Sequence, residues 1–135
     1  MCIKGQTMFR SYVAGLIALL IIDTIWIRFF VKKIYLNHLS QILILNNGSI
    51  SARIAPALIF YFLFYTSLFY LSVLRSKDLK DALISAFILG LCSYGTYSFT
   101  NLAVLKDWNW TIAISDVLWG PLLTVTTVYI ARIFL

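Results

Sequence analysis

The sequence has 135 residues, of which 61% are hydrophobic and 12% are charged, and its net charge is +6. Soluble domains are typically about half apolar and about a quarter charged, so this composition excludes an ordinary water-soluble domain. The Lys and Arg residues are scattered at the ends of apolar runs, which favours contact with anionic lipid headgroups over nucleic-acid binding. A single histidine, two cysteines and the absence of nucleotide-binding motifs predict no metal site and no cofactor.

Four apolar runs are long enough for a helix to cross a membrane, which takes about 20 residues. The first run begins after Arg10 and ends at Lys32, and the second begins after Arg53. The predicted spans are about residues 12–31, 54–74, 82–105 and 111–134. We therefore expect an all-α integral membrane protein in which residues 1–135 form a single four-helix transmembrane bundle.

The connection between the first two spans, about residues 32–51, has its own pattern. Apolar residues such as Ile34 and Leu39 alternate there with polar residues such as Lys33 and His38. This pattern predicts a partly amphipathic helix along one membrane surface, and residues 46–49 predict a turn that ends it. A loop that covers the bundle and a gate over a site both fit this segment.

Four spans put both termini on one side of the membrane, which we name face A, and the opposite side is face B. Face A carries one more basic residue than face B, and the positive-inside rule then favours a cytoplasmic N-terminus. The basic residues are Lys4, Arg10, Arg75, Lys77, Lys80 and Arg132 at face A, and Arg28, Lys32, Lys33, Arg53 and Lys106 at face B. Trp108 and Trp110 at face B fit an aromatic belt.

Two aspartates, Asp23 and Asp116, fall inside the predicted spans. An ionised carboxylate in the bilayer costs ~2.5 kcal/mol or more, so both are expected to face the bundle interior or a wet cavity, or to be protonated. Each is followed three positions later by a tryptophan, Trp26 or Trp119, which shares its helix face and has an N–H that can donate to a carboxylate. A rise of ~1.5 Å per residue puts the aspartates about 17 and 22 Å from face A, close to one level.

Other polar residues are expected at that level. Tyr97 and Asn101 follow Ser93 at i+4 and i+8 on the third span, and Tyr61 of the second span can face the same place. The candidate ligand-binding residues are Asp23, Trp26, Tyr61, Tyr97, Asn101, Asp116 and Trp119. Helix-to-helix hydrogen bonding is the alternative for the tyrosines and Asn101. Arg28 and Arg53 are candidate counter-charges for the aspartates.

Three hypotheses follow from this cluster. The first is the binding or processing of a small amphipathic or lipid-like molecule, since two interacting carboxyl groups can carry out general acid/base chemistry. The second is a small proton-coupled transporter that acts as an oligomer, since membrane aspartates carry protons. The third is a structural or assembly subunit with a membrane protein partner. The sequence leaves open whether the protein is an enzyme, and it identifies no catalytic residue.

Three segments resemble the shared positions of a bacterial family of predicted membrane proteins, catalogued as domain of unknown function family 2177. They are Asp23-Thr24-Ile25-Trp26, Tyr97 with Asn101-Leu102-Ala103, and Asp116-Val117-Leu118-Trp119-Gly120. The order and spacing are similar over about residues 10–135. The resemblance implies a four-helix protein of the bacterial inner membrane, and it implies no activity, substrate or cofactor.

Overall fold

The computed structural model describes residues 2–135, with side chains described from residue 4 onwards. This part of the chain is helical apart from one short hairpin and the connecting loops. Four of its helices are long and apolar enough to cross a membrane: Lys4–Leu39, Ile54–Leu74, Leu79–Val104 and Trp110–Ile133. The predicted all-α, four-helix fold class is confirmed.

The first long helix has three parts, which are α1 (Cys2–Trp26), a π-helical turn π1 (Ile27–Val31) and α2 (Lys32–Leu39). The backbone stays in the right-handed helical region at both junctions. Residues 32–39 therefore continue the first helix, whereas the sequence predicted that a separate surface helix begins there. The 36 residues of this helix are about 54 Å long, so part of it extends beyond a ~30 Å hydrocarbon core.

A short hairpin follows α2. Strand β1 (Leu45–Asn46) pairs antiparallel with β2 (Ser49–Ile50). The two residues between the strands have positive φ, 49° at Asn47 and 73° at Gly48, as a type I′ turn requires. The Lys32 Nζ atom donates to Ser49 Oγ at 3.4 Å, so the hairpin lies beside α2.

The other helices are α3, π2, α4 and α5, with bounds Ile54–Leu68, Phe69–Leu74, Leu79–Val104 and Trp110–Ile133. The side chain of Asp78 caps α4 and that of Asn109 caps α5, each by accepting a backbone N–H of the first turn. Ser11 of α1 donates to the Ala131 carbonyl of α5 at 2.6 Å, so the first part of α1 lies beside the last part of α5.

The half of the bundle nearest the chain ends is closely packed, and we name its buried apolar residues the main core. They are Leu19, Tyr65, Leu68, Phe69, Val73, Ala82, Ala86, Trp119, Leu123, Val128 and Ala131. Helices α4 and α5 touch at Gly90 and Gly120, where a Cβ on Gly90 would lie 2.6 Å from the Gly120 carbonyl oxygen. On the same helix as Gly90, a Cβ on Gly95 would have no neighbour within 4 Å.

A smaller buried cluster, the second core, lies at the opposite end. It consists of Leu39, Trp108, Ile112 and Ala113, and it joins α2 to the start of α5. Trp108, predicted to belong to an aromatic belt at the membrane surface, is only 6% exposed because it packs in this cluster. Trp110, the other predicted belt residue, is 66% exposed.

Candidate functional site

A cavity of about 520 Å³ lies between the main core and the second core. Some lining side chains, such as Trp119 and Phe64, pack on the main core, while Tyr35 and Leu43 pack on the second. The lining residues are Asp23, Trp26, Ile27, Val31, Tyr35, Leu43, Ile50, Ala52, Phe60, Phe64, Ser93, Tyr94, Tyr97, Asp116 and Trp119. All four long helices and the hairpin segment therefore contribute to one internal space.

Asp23, at one wall of the cavity, is 4% exposed and is bonded through both carboxylate oxygens. The Tyr61 hydroxyl donates to Oδ2 at 2.5 Å, and the Trp119 indole N–H donates to Oδ1 at 3.1 Å. These donors come from α3 and α5. Asp23 therefore connects three of the long helices.

Asp116, which lines the same cavity, is 6% exposed. Its Oδ2 atom accepts hydrogen bonds from the Ser98 hydroxyl at 3.0 Å and from the Tyr35 hydroxyl at 3.2 Å. The Trp108 indole N–H donates to Ser98 Oγ at 3.1 Å. An indole can only donate, so the Ser98 oxygen is the acceptor there and its proton is directed at Asp116.

Two indoles form one wall of the cavity. The rings of Trp26 and Trp119 stack with centroids 4.4 Å apart and an interplanar angle of 5°, and Phe30 stacks on the other side of Trp26 at 4.8 Å. The sequence predicted that each aspartate has its own indole neighbour at i+3. The Trp119 N–H instead donates across the bundle to Asp23, because the two helices face each other at this level.

Five of the seven predicted site residues line the cavity: Asp23, Trp26, Tyr97, Asp116 and Trp119. Tyr61 does not line it but bonds to Asp23. Asn101 is not among the lining residues; it is half-buried near the end of α4, where its backbone carbonyl accepts the Leu105 N–H.

The predicted counter-charges are not at the site. Arg28 and Arg53 are both exposed. Within residues 4–135, the hydrogen bonds to the two aspartates come from hydroxyl and indole groups only. Neutral donors therefore hold both carboxylates in position.

Sequence reasoning missed the roles of Tyr35 and Trp108 at this site. Tyr35 was missed because the first span was expected to end at residue 31. The π-helical turn rotates every later side chain about the helix axis, and such a turn leaves no recognisable pattern in the sequence. Ser98 had a weak signal, because it belongs to the polar side of the third span. Trp108 had been explained by its position near the membrane surface.

One wall of the cavity is also an outer surface of the bundle. The first part of α3 has little contact with other helices, with Leu58 64% exposed and Phe62 64% exposed. Phe60 lines the cavity and is 45% exposed, and Ile27 lines it and is 40% exposed. On this side the cavity is therefore bordered by side chains of π1 and α3 that are themselves partly exposed.

The fold and the site define an all-α membrane protein with a cavity between its helices that is lined by two carboxylates. A family model described as "Predicted membrane protein (DUF2177)" matches residues 8–133. The chain therefore belongs to this family of integral membrane proteins, as its sequence resemblance indicated. No curated protein and no solved structure matches the chain.

Proposed function

We propose that this protein binds a small amphipathic, lipid-like molecule in the cavity, with the polar end of the molecule at Asp116. The observation that carries the proposal is an available carboxylate oxygen. Asp116 Oδ2 accepts two hydrogen bonds, whereas Oδ1 accepts none from any residue that the structure describes. Asp116 as a whole is only 6% exposed, so a ligand that donates to Oδ1 would complete the hydrogen bonding of this carboxylate.

The Oδ1 atom is also accessible. Among the described residues, Thr127 Oγ1 is the one fully enclosed side-chain N or O atom that has no partner. Asp116 Oδ1 has no partner among them either, so it is not fully enclosed. Asp116 lines the cavity, so its second oxygen can be reached from there. Two other polar groups of the lining, the Tyr94 hydroxyl and the Trp26 indole, make no hydrogen bond within the described chain, and they could orient the same ligand.

The rest of the cavity suits an apolar body. Much of the lining is aliphatic or aromatic, and two exposed lining residues, Ile27 and Phe60, lie on helices that are long and apolar enough to cross the membrane. A cavity of ~150 Å³ holds benzene, so one of about 520 Å³ has room for on the order of 20 non-hydrogen atoms. A molecule that is dissolved in lipid could enter sideways without crossing water.

Native mass spectrometry of the protein, extracted gently from its own membrane, tests this proposal. The wild type should retain a small molecule that Asp116→Asn loses. Asp107→Asn is the matched control, because it removes the same charge from an exposed residue outside the cavity. The proposal is contradicted if the wild type carries no small molecule, or if Asp116→Asn carries as much as the control.

We further propose that the protein lies in the bacterial inner membrane, as the family resemblance implies, and that both termini are in the cytoplasm, on the basis of the small excess of basic residues at face A. The hairpin would then lie outside the cytoplasm. A Ser49→Cys variant without the two natural cysteines tests this. An impermeant maleimide added to spheroplasts, in which the outer face of the inner membrane is accessible, should label it. Labelling only after lysis would reverse the orientation.

A further inference from the structure

We infer that the bound molecule is a lipophilic amine in its protonated form. This inference rests on the proposed function and names the chemical class of its ligand. Three features of the cavity support it: the charge of the lining, the direction of the hydrogen bonds, and the aromatic walls.

The charge of the lining is one-sided. Two aspartates line the cavity, and no Lys, Arg or His is found among the described lining residues. Arg28 and Lys32 flank lining residues along the chain, but both are exposed, and the Lys32 ammonium bonds to Ser49. An ionised carboxylate in an apolar interior is costly without a counter-charge. A cationic ligand would supply this counter-charge and form the ion pair that no side chain of the lining provides.

The hydrogen bonds have a fixed direction. The Trp119 indole can only donate, so Asp23 Oδ1 is an acceptor, and the Trp108 indole directs the Ser98 proton to Asp116 in the same way. These donors therefore fix Asp23 Oδ1 and Asp116 Oδ2 as acceptors, while Asp116 Oδ1 receives no hydrogen bond from the described residues. An ammonium group donates up to three hydrogen bonds and accepts none, which matches this arrangement.

The walls add an attraction that is specific for positive charge. Seven of the fifteen lining side chains are aromatic, including the stacked pair Trp26 and Trp119. The face of an aromatic ring carries negative potential and attracts an ammonium group within about 6 Å, most strongly in the case of tryptophan. A lipid alcohol could bond to Asp116 Oδ1 but would gain no comparable attraction from the rings, and a phosphate would be repelled by both carboxylates.

Three probes with the same decyl chain separate these possibilities: decylamine, which is protonated at neutral pH, decanol, and decyl phosphate. The protein is placed in nanodiscs of zwitterionic lipid, and each probe is titrated while tryptophan fluorescence is recorded, with empty discs as the blank. Trp26 and Trp119 line the cavity, so occupancy should change their emission. The net charge of +6 opposes non-specific binding of the amine.

We expect saturable binding of decylamine, weak binding of decanol and no saturable binding of decyl phosphate. Asp116→Asn, which preserves shape and removes the charge, should weaken decylamine binding about 10- to 100-fold. Asp107→Asn should have no effect.

The inference is overturned if decanol or decyl phosphate binds as tightly as decylamine, if Asp116→Asn leaves decylamine binding unchanged, or if decylamine does not bind. Native mass spectrometry tells this failure apart from failure of the proposed function. A neutral molecule retained by the wild type and lost from Asp116→Asn would contradict the amine alone, and the cavity would remain a ligand site.

Discussion

The two halves of this bundle use polar side chains in opposite ways. In the half near the chain ends, hydroxyl groups bond to backbone carbonyls of the next helix, as Ser11 Oγ does to Ala131 O at 2.6 Å and Thr124 Oγ1 to Ala86 O at 2.7 Å. In the half with the cavity, carboxylates accept bonds from large side chains such as Tyr61 and Trp119. In the packed half, glycines let α4 and α5 approach each other closely, whereas in the other half aromatic rings line an open space between the helices.

This difference shows why polar residues in a membrane bundle cannot be interpreted as a single class. A hydroxyl that bonds to a carbonyl needs close backbones and leaves no space. An aspartate with aromatic donors needs room for rings, and the room remains between them. We therefore expect substitutions in the packed half to alter mainly stability and substitutions of residues that line the cavity to alter mainly binding.

The largest effect on stability is expected at the contact of α4 with α5. In Gly90→Ala, the new Cβ would lie 2.6 Å from the Gly120 carbonyl oxygen, so the helices must separate. Overpacking of this kind typically costs ~1–3 kcal/mol. Gly95→Ala on the same helix is the control, since its Cβ meets nothing within 4 Å. Thermal unfolding in mild detergent should show a lower midpoint for Gly90→Ala alone, and equal midpoints would contradict the close contact.

A smaller loss of stability is expected from Ser98→Ala. The Trp108 indole would lose its partner, which costs ~1–3 kcal/mol for a buried group, while Asp116 Oδ2 would keep its bond from the Tyr35 hydroxyl. If the Trp108 indole moves towards the membrane surface and finds another acceptor there, the loss of unfolding free energy should stay at ~1 kcal/mol. Ser93→Ala is the comparison, because Ser93 lines the cavity on the same helix and makes no described hydrogen bond. Equal unfolding midpoints for the two variants would contradict a role for Ser98 in the network.

The smallest effect is expected from Tyr61→Phe, which removes the hydroxyl that joins α3 to Asp23. Side-chain hydrogen bonds in membrane bundles average ~0.6 kcal/mol, so the unfolding midpoint should fall only slightly. Hydrogen exchange should be more sensitive than the unfolding midpoint, because the backbone amides of α3 before Tyr65 should exchange faster in this variant. Tyr129→Phe, on the outer surface and without a described hydrogen bond, should leave exchange unchanged. Identical exchange in both variants would mean that the bond does not hold α3.

The two aspartates at the centre of the site could be found from the sequence, by the free-energy cost of a carboxylate in lipid and by the estimated depth of each residue in the bilayer. Asp23 and Asp116 were selected because placing a carboxylate in lipid costs free energy that a contact inside the bundle must offset. In the structure, both line one cavity. The donors could not be found in this way, since they depend on how helices face each other. Trp119 was expected to bond to Asp116 on its own helix and bonds to Asp23 on another. Tyr35 was missed because π1 changes the helix register before it.

The fold was predictable to the level of four helices, because span length and apolar composition follow directly from membrane thickness. The continuation of the first helix to Leu39 was not predictable in this way. It depends on the packing of Leu39 and Tyr35 against Trp108, which is a contact between distant parts of the chain.

The most direct test of the division between the two halves is to measure ligand content and ligand-free stability on the same Asp116→Asn preparation. One sample gives the amount of copurified small molecule per chain, and a second, stripped of ligand by extensive detergent exchange, gives the unfolding midpoint. We expect the molecule to be lost while the stripped protein unfolds at nearly the wild-type midpoint. Retention of the molecule, or its loss together with collapse of the stripped protein's midpoint, would contradict a cavity built for binding.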